Sequence, residues 1–339
     1  MNKKAFRSDL LLLLTAFLWG FGFVAQRSGM RYVGPFTFNG VRFLLGSLSL
    51  APILFFRARN GFEDHANTAG AYIRSCLIAG TILFFAVTIQ QIGVMFTTAG
   101  NAGFITGLYV VLVPILGAFL GRKTGVFTWI GAFLTLPGMY LISAASLDSV
   151  NIGDVITLAS VFFWAVHMLL IDHFVRRNDP VRLSVGQFTV CGFLCLIFTF
   201  ALEPRLNGIM ARMLPDLFEK EAFTWKILPV LIADIGSAIA RADMPSLFNI
   251  LIPILYGGLL SVGVAYTLQV VAQKDAPPAH ATIILCLEGS FAALGGILIL
   301  HEQLQRWTLP GFALMLTGML VSQWEVIREE RGTRRGLRR

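Results

Sequence analysis

Ten apolar stretches, each close to twenty residues, are separated along this chain by short polar or charged breaks. They run near Leu10–Gln26, Phe36–Phe56, Ser75–Met95, Ala99–Leu120, Val126–Ala144, Ile152–Ile171, Ser184–Leu202, Ile250–Ala272, Ala279–Leu300 and Trp307–Trp324. A helix needs about 20 apolar residues to cross the hydrocarbon of a bilayer. The pattern therefore predicts an all-α integral membrane protein with ten transmembrane helices. The first stretch, behind Lys3, Lys4 and Arg7, has the outline of a signal peptide, but no clean small-residue cleavage site follows it. It also recurs as the sixth stretch, so it is read as a helix.

The stretch from Ala279 to Leu304 carries a single mid-segment carboxylate, Glu288. At about 1.5 Å of rise per residue, Glu288 lies roughly 14 Å from Ala279, near the membrane midplane. An ionisable group at that depth is costly in hydrocarbon and is expected to face a protein interior or a wet cavity.

The same stretch echoes Ala99–Lys123, and the echo extends to the whole chain. At an offset of 145, Asp9, Trp19, Pro35 and Phe43 match Asp154, Trp164, Pro180 and Phe188. At 179, Ala86, Thr88, Gln90 and Ala102 match Ala265, Thr267, Gln269 and Ala281. At 180, Gly131, Leu136, Gly138 and Met139 match Gly311, Leu316, Gly318 and Met319. The steady register with one large step argues for a duplication. Each half has five spans, an odd number, so the two five-helix repeats must be inverted in the membrane. That arrangement characterises secondary transporters, whose substrates bind near midplane between the halves.

The expected units are residues 9–145, residues 153–324 and a basic tail, 325–339. The step in offset places an insertion at about 203–248, in the second unit. Within Ile227–Arg241, Asp234, Ser237 and Arg241 share one helical face, and Leu228, Leu231, Ile235 and Ile239 another. This reads as an amphipathic helix on the outer surface or, alternatively, as a spacer loop.

Composition excludes a soluble protein: 56% of residues are hydrophobic and 14% charged. The net charge of +8 raises the question of nucleic acid, but the basic residues punctuate apolar segments and end in the tail. They suit a membrane surface rather than a nucleic-acid partner. With the N-terminus inside, inner stretches carry 18 Lys and Arg against 8 outside. Both termini are expected in the cytoplasm. Cys76, Cys191, Cys195 and Cys286 lie inside apolar segments, without metal or disulfide spacing, and read as small core residues.

With these motifs in place, the chain resembles the drug/metabolite transporter superfamily in its ten-span form with two EamA-type domains. The resemblance rests on LWGFGFVAQ at Leu18–Gln26, VRFLLG at Val41–Gly46 and the long run from Thr97 to Gly121. In the second half it rests on SVGVAYTLQVVAQK at Ser261–Lys274 and the run from Ala281 to Leu304. It implies a basket of two inverted halves, with the fourth and ninth helices lining the centre. It also implies export of amino acids, other metabolites or drugs. Two positions depart from the family pattern. Gly289 stands where a proline usually follows the mid-helix glutamate, so a weakened kink is expected there. Gly121-Arg122-Lys123-Thr124 lacks the acid usual at the end of the fourth helix.

Glu288 is the leading candidate for substrate or proton coupling, with helix-to-helix bonding as its structural alternative. Its repeat mate is Tyr109. Arg42, about 9 Å below the outer boundary, could hold a substrate carboxylate or phosphate, pair with Glu288, or snorkel to the interface. Trp19 and Trp164, mates near mid-span, suit a cavity lining or large-residue packing. Asn101, Thr106 and His167 are polar enough to line a path, His167 as a proton relay. Gln90 and Gln269 read as bonds between helices. Ala99, Gly103 and Gly107 recur every four residues and predict a close helix approach. There is no cofactor motif, metal cluster or nucleophilic triad, and Gly20-x-Gly22 lies inside an apolar helix without a preceding strand.

The expected activity is therefore not enzymatic. It is alternating-access transport of a small amino acid-like or drug-like metabolite across the inner membrane, as proton-coupled export. The alternatives are an importer or exchanger of a nucleotide-, vitamin- or cofactor-type metabolite, or an enzyme acting on lipid-linked substrates. That enzyme would need several catalytic groups at one membrane face.

Overall fold

The computed structural model describes residues 3–30, 33–59, 68–143, 152–213, 251–300, 307, 309–311, 313–322 and 324. Among these there is no strand. Ten helices follow in order among the described residues, eight of them long and apolar enough to cross a membrane and two, the fifth and the tenth, with shorter apolar stretches. The first half comprises α1 (Lys3–Gly29), α2 (Pro35–Arg59), α3 (Ala69–Phe96), α4 (Ala99–Phe119) and α5 (Val126–Ser143). The second half comprises α6 (Ile152–Val175), α7 (Pro180–Met213), α8 (Leu251–Gln273), α9 (Pro278–Leu300) and α10 (Leu309–Ser322). Helix α7 continues to Met213, past the expected boundary at Leu202. The amphipathic stretch expected at 227–241 and the basic tail lie outside the described residues.

Polarity is distributed as a bilayer requires. Leu48, Phe55, Phe119, Phe133, Phe193 and Leu298 are exposed on the outside of the bundle, while Thr15, Asn39, Gln91 and Thr282 are buried. Some buried polar groups pair across helices, as when the Asn39 amide donates to the Val87 carbonyl at 3.1 Å, whereas both amide atoms of Gln91 are without a hydrogen-bond partner. In hydrocarbon such pairing is strongly favoured, because no water is present to satisfy these groups.

The inverted repeat is written into the packing. Helix α1 packs on α8 and α9, and its counterpart α6 packs on α3 and α4; α2 lies on α8 as α7 lies on α3. Three pairs join a helix to its own counterpart: α2 with α7, α4 with α9, and α5 with α10. The last pair shows the relation residue by residue. Gly131 abuts Gly318, and Gly138 abuts Gly311, so the glycines matched by repeat exchange partners across the seam. A Cβ on Gly131 or on Gly138 would come within 2.7 Å of the facing carbonyl oxygen.

Helices α4 and α9 cross just as closely. A Cβ on Gly103 would meet the Gly289 Cα and the Ala292 Cβ at 3.0 Å, and one on Gly289 would meet the Gly103 carbonyl carbon at 3.2 Å. The glycine following Glu288 thus admits the partner helix.

Both helices are also interrupted at this crossing. Helix α4 breaks at Leu108 into Ala99–Gly107 and Tyr109–Phe119, and α9 breaks at Cys286 into Pro278–Leu285 and Leu287–Leu300. The interruption of α9 falls at Cys286, three residues before Gly289, with no proline to cause it. At the α4 break, the Val111 amide bonds to the Leu108 carbonyl at 3.1 Å. The carbonyl of Gly107 instead accepts the Cys286 thiol at 3.0 Å. The α4 break is therefore repaired by the facing helix, which the local sequence does not reveal.

Helix α8 has a different irregularity. Tyr256–Tyr266 is π-helical, with the wider turn of i to i+5 bonding. It is pressed against α2, where Gly258 faces Leu45 and Gly263 faces Ser49.

Candidate functional site

The breaks, the α4–α9 crossing and the π-helical turn surround one buried cavity. Its wall includes Trp19, Arg42, Thr106, Tyr109, Trp164 and Glu288, contributed by α1, α2, α4, α6 and α9. Six of the eight residues expected at the site thus converge on a single space.

Glu288 is 3% exposed, and its Oε1 accepts a hydrogen bond from the Tyr109 hydroxyl at 2.9 Å. Gly20 of α1 lies against the Glu288 carbonyl, which is what that glycine pair contributes in place of nucleotide binding. Opposite in charge, Arg42 is 1% exposed. Its guanidinium carbon stands 5.4 Å from the Phe38 ring centre and 5.2 Å from that of Phe43. It reaches neither Glu288 nor any other carboxylate among the described residues, and its Nε has no hydrogen-bond partner. A buried cation facing only ring faces is stabilised far less than a paired one.

The aromatic pair expected from the repeat is present, with the Trp19 and Trp164 ring centres 6.4 Å apart. A third ring, Tyr266, completes the group at 4.5 Å from Trp19 and 6.0 Å from Trp164. Trp19 is fixed by its indole N–H, which donates to the Ser261 carbonyl in the π-helical turn at 3.2 Å. The indole nitrogen of Trp164 and the Oε1 of Gln26, both at this cavity, have no partner.

Thr106 accepts from the Gln90 amide at 2.8 Å, so Gln90 ties α3 to α4 and also lines the cavity. Gln269 bonds to the Met168 sulfur at 3.3 Å and to Gln273, joining α8 to α6. His167 stands behind the wall, bonded to Gln187 at 2.9 Å and edge-on to Trp164. Asn101 is buried on α4 and does not line the cavity.

Tyr266, Ser261, Gln26 and Phe23 also belong to the wall and were not among the residues expected there. Tyr266 and Ser261 lie in the second-half motif that carried the family resemblance, and a mid-span tyrosine is the signal that could have marked the first. In this conformation the cavity measures about 20 Å³, room for about one water.

Polar clusters close the bundle on either side. On the face of the termini, Asp9 bonds to His280 Nε2 at 2.9 Å, and His280 Nδ1 to the Ser322 hydroxyl at 2.8 Å. On the other face, Arg27 bonds to the Thr97 carbonyl, and the Thr97 hydroxyl donates to Asp154 at 2.6 Å. Asp9 and Asp154 are repeat mates.

A model of the EamA-like transporter family matches residues 6–144 and 151–323 of this sequence. The chain belongs to that family. A protein of Archaeoglobus fulgidus named as an uncharacterized transporter is 28% identical over 323 residues, covering 94% of this chain and 86% of its own. The Bacillus subtilis uncharacterized transporter YoaV is 19% identical over 324 residues, covering 94% and 97%. A solved crystal structure superposes with a TM-score of 0.69 at 16% identity, covering 95% of this chain and 97% of its own. This EamA-like protein is accordingly a multi-pass membrane transporter.

Proposed function

We propose that this transporter moves a small amino acid-like metabolite out of the cell across the inner membrane by alternating access, with protons as coupling ion. The observation that carries the reading is the cavity itself, which holds Arg42 and Glu288 without an ion pair between them. In this reading Arg42 takes the substrate carboxylate, as an arginine does with a two-point contact. Glu288 takes the ammonium group or the coupled proton, and the Trp19–Trp164–Tyr266 rings pack the side chain. Such a site would suit a zwitterion because neither Arg42 nor Glu288 is paired with a group of opposite charge among the described residues.

The two polar clusters support alternating access, since Asp9 and Asp154 hold equivalent places in the halves yet seal opposite faces. The small cavity belongs with a closed state, from which the halves must part to admit substrate. The excess of Lys and Arg on one side supports cytoplasmic termini.

The test is metabolite profiling of cells and medium for wild type, Glu288→Gln and Arg42→Gln at matched membrane levels. The reading expects a zwitterionic metabolite to build up outside with wild type and with neither variant. Build-up inside would make the protein an importer, and full activity of Glu288→Gln would remove that residue from the mechanism. Counterflow in vesicles with and without a pH gradient then checks the proton: a flux indifferent to the gradient would refute coupling.

A further inference from the structure

A second, larger cavity opens on the face of the termini and is not part of the central site. It measures about 210 Å³, and no described Asp or Glu lines it. Arg122, Lys123 and Arg176 do, together with Thr124, Thr128 and His280.

Two of the three cations are held in place from behind. Asp172 of α6 is 1% exposed; one of its oxygens takes Arg122 and the other takes Arg176 at 3.0 Å. A single carboxylate spread over two guanidinium groups uses few of their ten N–H donors and leaves the rest for another acceptor. Three cations against Asp172, and Asp9 behind His280, still leave the cavity net positive. The far wall is Pro277 and the first residues of α9, Pro278 to His280, so the positive end of a helix faces the same space. Threonine hydroxyls at 124 and 128 complete a set of donors. The lining is built for an acceptor-only ligand.

We propose that this vestibule is a binding site for a small oxyanion, a carboxylate or phosphate group. Its floor includes Gly117 and Val113 of α4, and Tyr109, about one helical turn beyond Val113, lines the central cavity on the same helix. Anions there would be concentrated at the mouth of the path. The oxyanion could come from a free metabolite or from the headgroup of an acidic lipid; both present the same oxygens to the same cations.

The experiment uses the full-length protein in detergent and follows its thermal midpoint as inorganic phosphate is added at constant ionic strength. Wild type should gain stability with phosphate, and the Lys123→Gln/Arg176→Gln variant should need at least about tenfold more phosphate for the same shift. Lys123→Gln alone, a substitution in the loop after α4, provides a second variant should the pair fold poorly. Repeating the titration in nanodiscs with and without phosphatidylglycerol separates the sources. A shift that persists in both indicates a free anion, whereas one abolished by the acidic lipid indicates that a headgroup holds the site. Equal shifts in wild type and variants would overturn the proposal. So would the absence of a wild-type shift together with no retention of phosphatidylglycerol in native mass spectrometry.

Discussion

Replacing Tyr109 by phenylalanine deletes one oxygen from the centre of the protein and leaves its shape unchanged. That oxygen donates the 2.9 Å bond to Glu288, and both residues are buried. No other hydrogen bond to the Glu288 side chain exists among the described residues, so Tyr109→Phe leaves a buried carboxyl group without a donor. A buried hydrogen bond to a charged group contributes about 1.5–3 kcal/mol, and one between neutral groups about 0.5–1.5 kcal/mol. Replacing Glu288 by methionine removes the other partner, and the double variant removes both without orphaning either. The single variants should therefore each cost more than the double variant implies, with a coupling in one of those two ranges. Unfolding in mixed micelles, measured for all four proteins, supplies the coupling. Repeating it across pH shows whether the carboxyl is charged, because only the ionised form reaches the upper range. Additive single variants, with coupling below about 0.5 kcal/mol, would refute the bond as the feature that holds Glu288 in place.

At the α5–α10 seam, Gly131→Ala and Gly318→Ala should each destabilise by about 1–3 kcal/mol, since the obstacle is a backbone carbonyl that cannot rotate away. Unfolding midpoints check this. Cys286→Ser should retain near wild-type stability by keeping a donor for the Gly107 carbonyl, whereas Cys286→Val should lose about 1–2 kcal/mol. Asp172→Asn should cost about 1–2 kcal/mol, less than a fully buried ion pair, because Arg122 and Arg176 are partly in solvent. Of the two tryptophans, Trp19→Phe should disturb transport more than Trp164→Phe, because only the Trp19 indole N–H is bonded to the π-helical turn. Flux at matched membrane levels distinguishes them.

Much of this architecture is legible without coordinates because hydrophobic length and repeat register are one-dimensional signals. The ten spans, the inversion and the glycine pairs of α5 and α10 all follow from counting residues. Glu288 and Arg42 stand out because a charge in an apolar run has few places to go. What escapes is decided between helices. Spans that pack inside a bundle yet also face lipid are apolar nearly all round, so no stripe marks the side Tyr266 takes. The break at Leu108 directly follows Gly107, but the other glycines of α4 do not break it; it is stable because a thiol from α9 satisfies the freed Gly107 carbonyl. The π-helical turn likewise reflects the packing of α8 on α2. Asn101 and His167 are polar in the right helices but lie outside the cavity wall, a difference of rotation that periodicity in an all-apolar span does not encode.

Two bonds in the centre join residues to their own counterparts: Tyr109 to Glu288 and Gly107 to Cys286, each pair 179 residues apart, the repeat offset itself. A residue related to its own counterpart by a two-fold rotation can touch that counterpart only at or near the axis. A motion in which the halves trade roles would carry every off-axis contact into its mirror and return these two to themselves. They would then act as the fulcrum of the molecule. Weakening them should burden both end states alike, whereas weakening Asp9–His280 or Asp154–Thr97 should tip the balance in opposite directions.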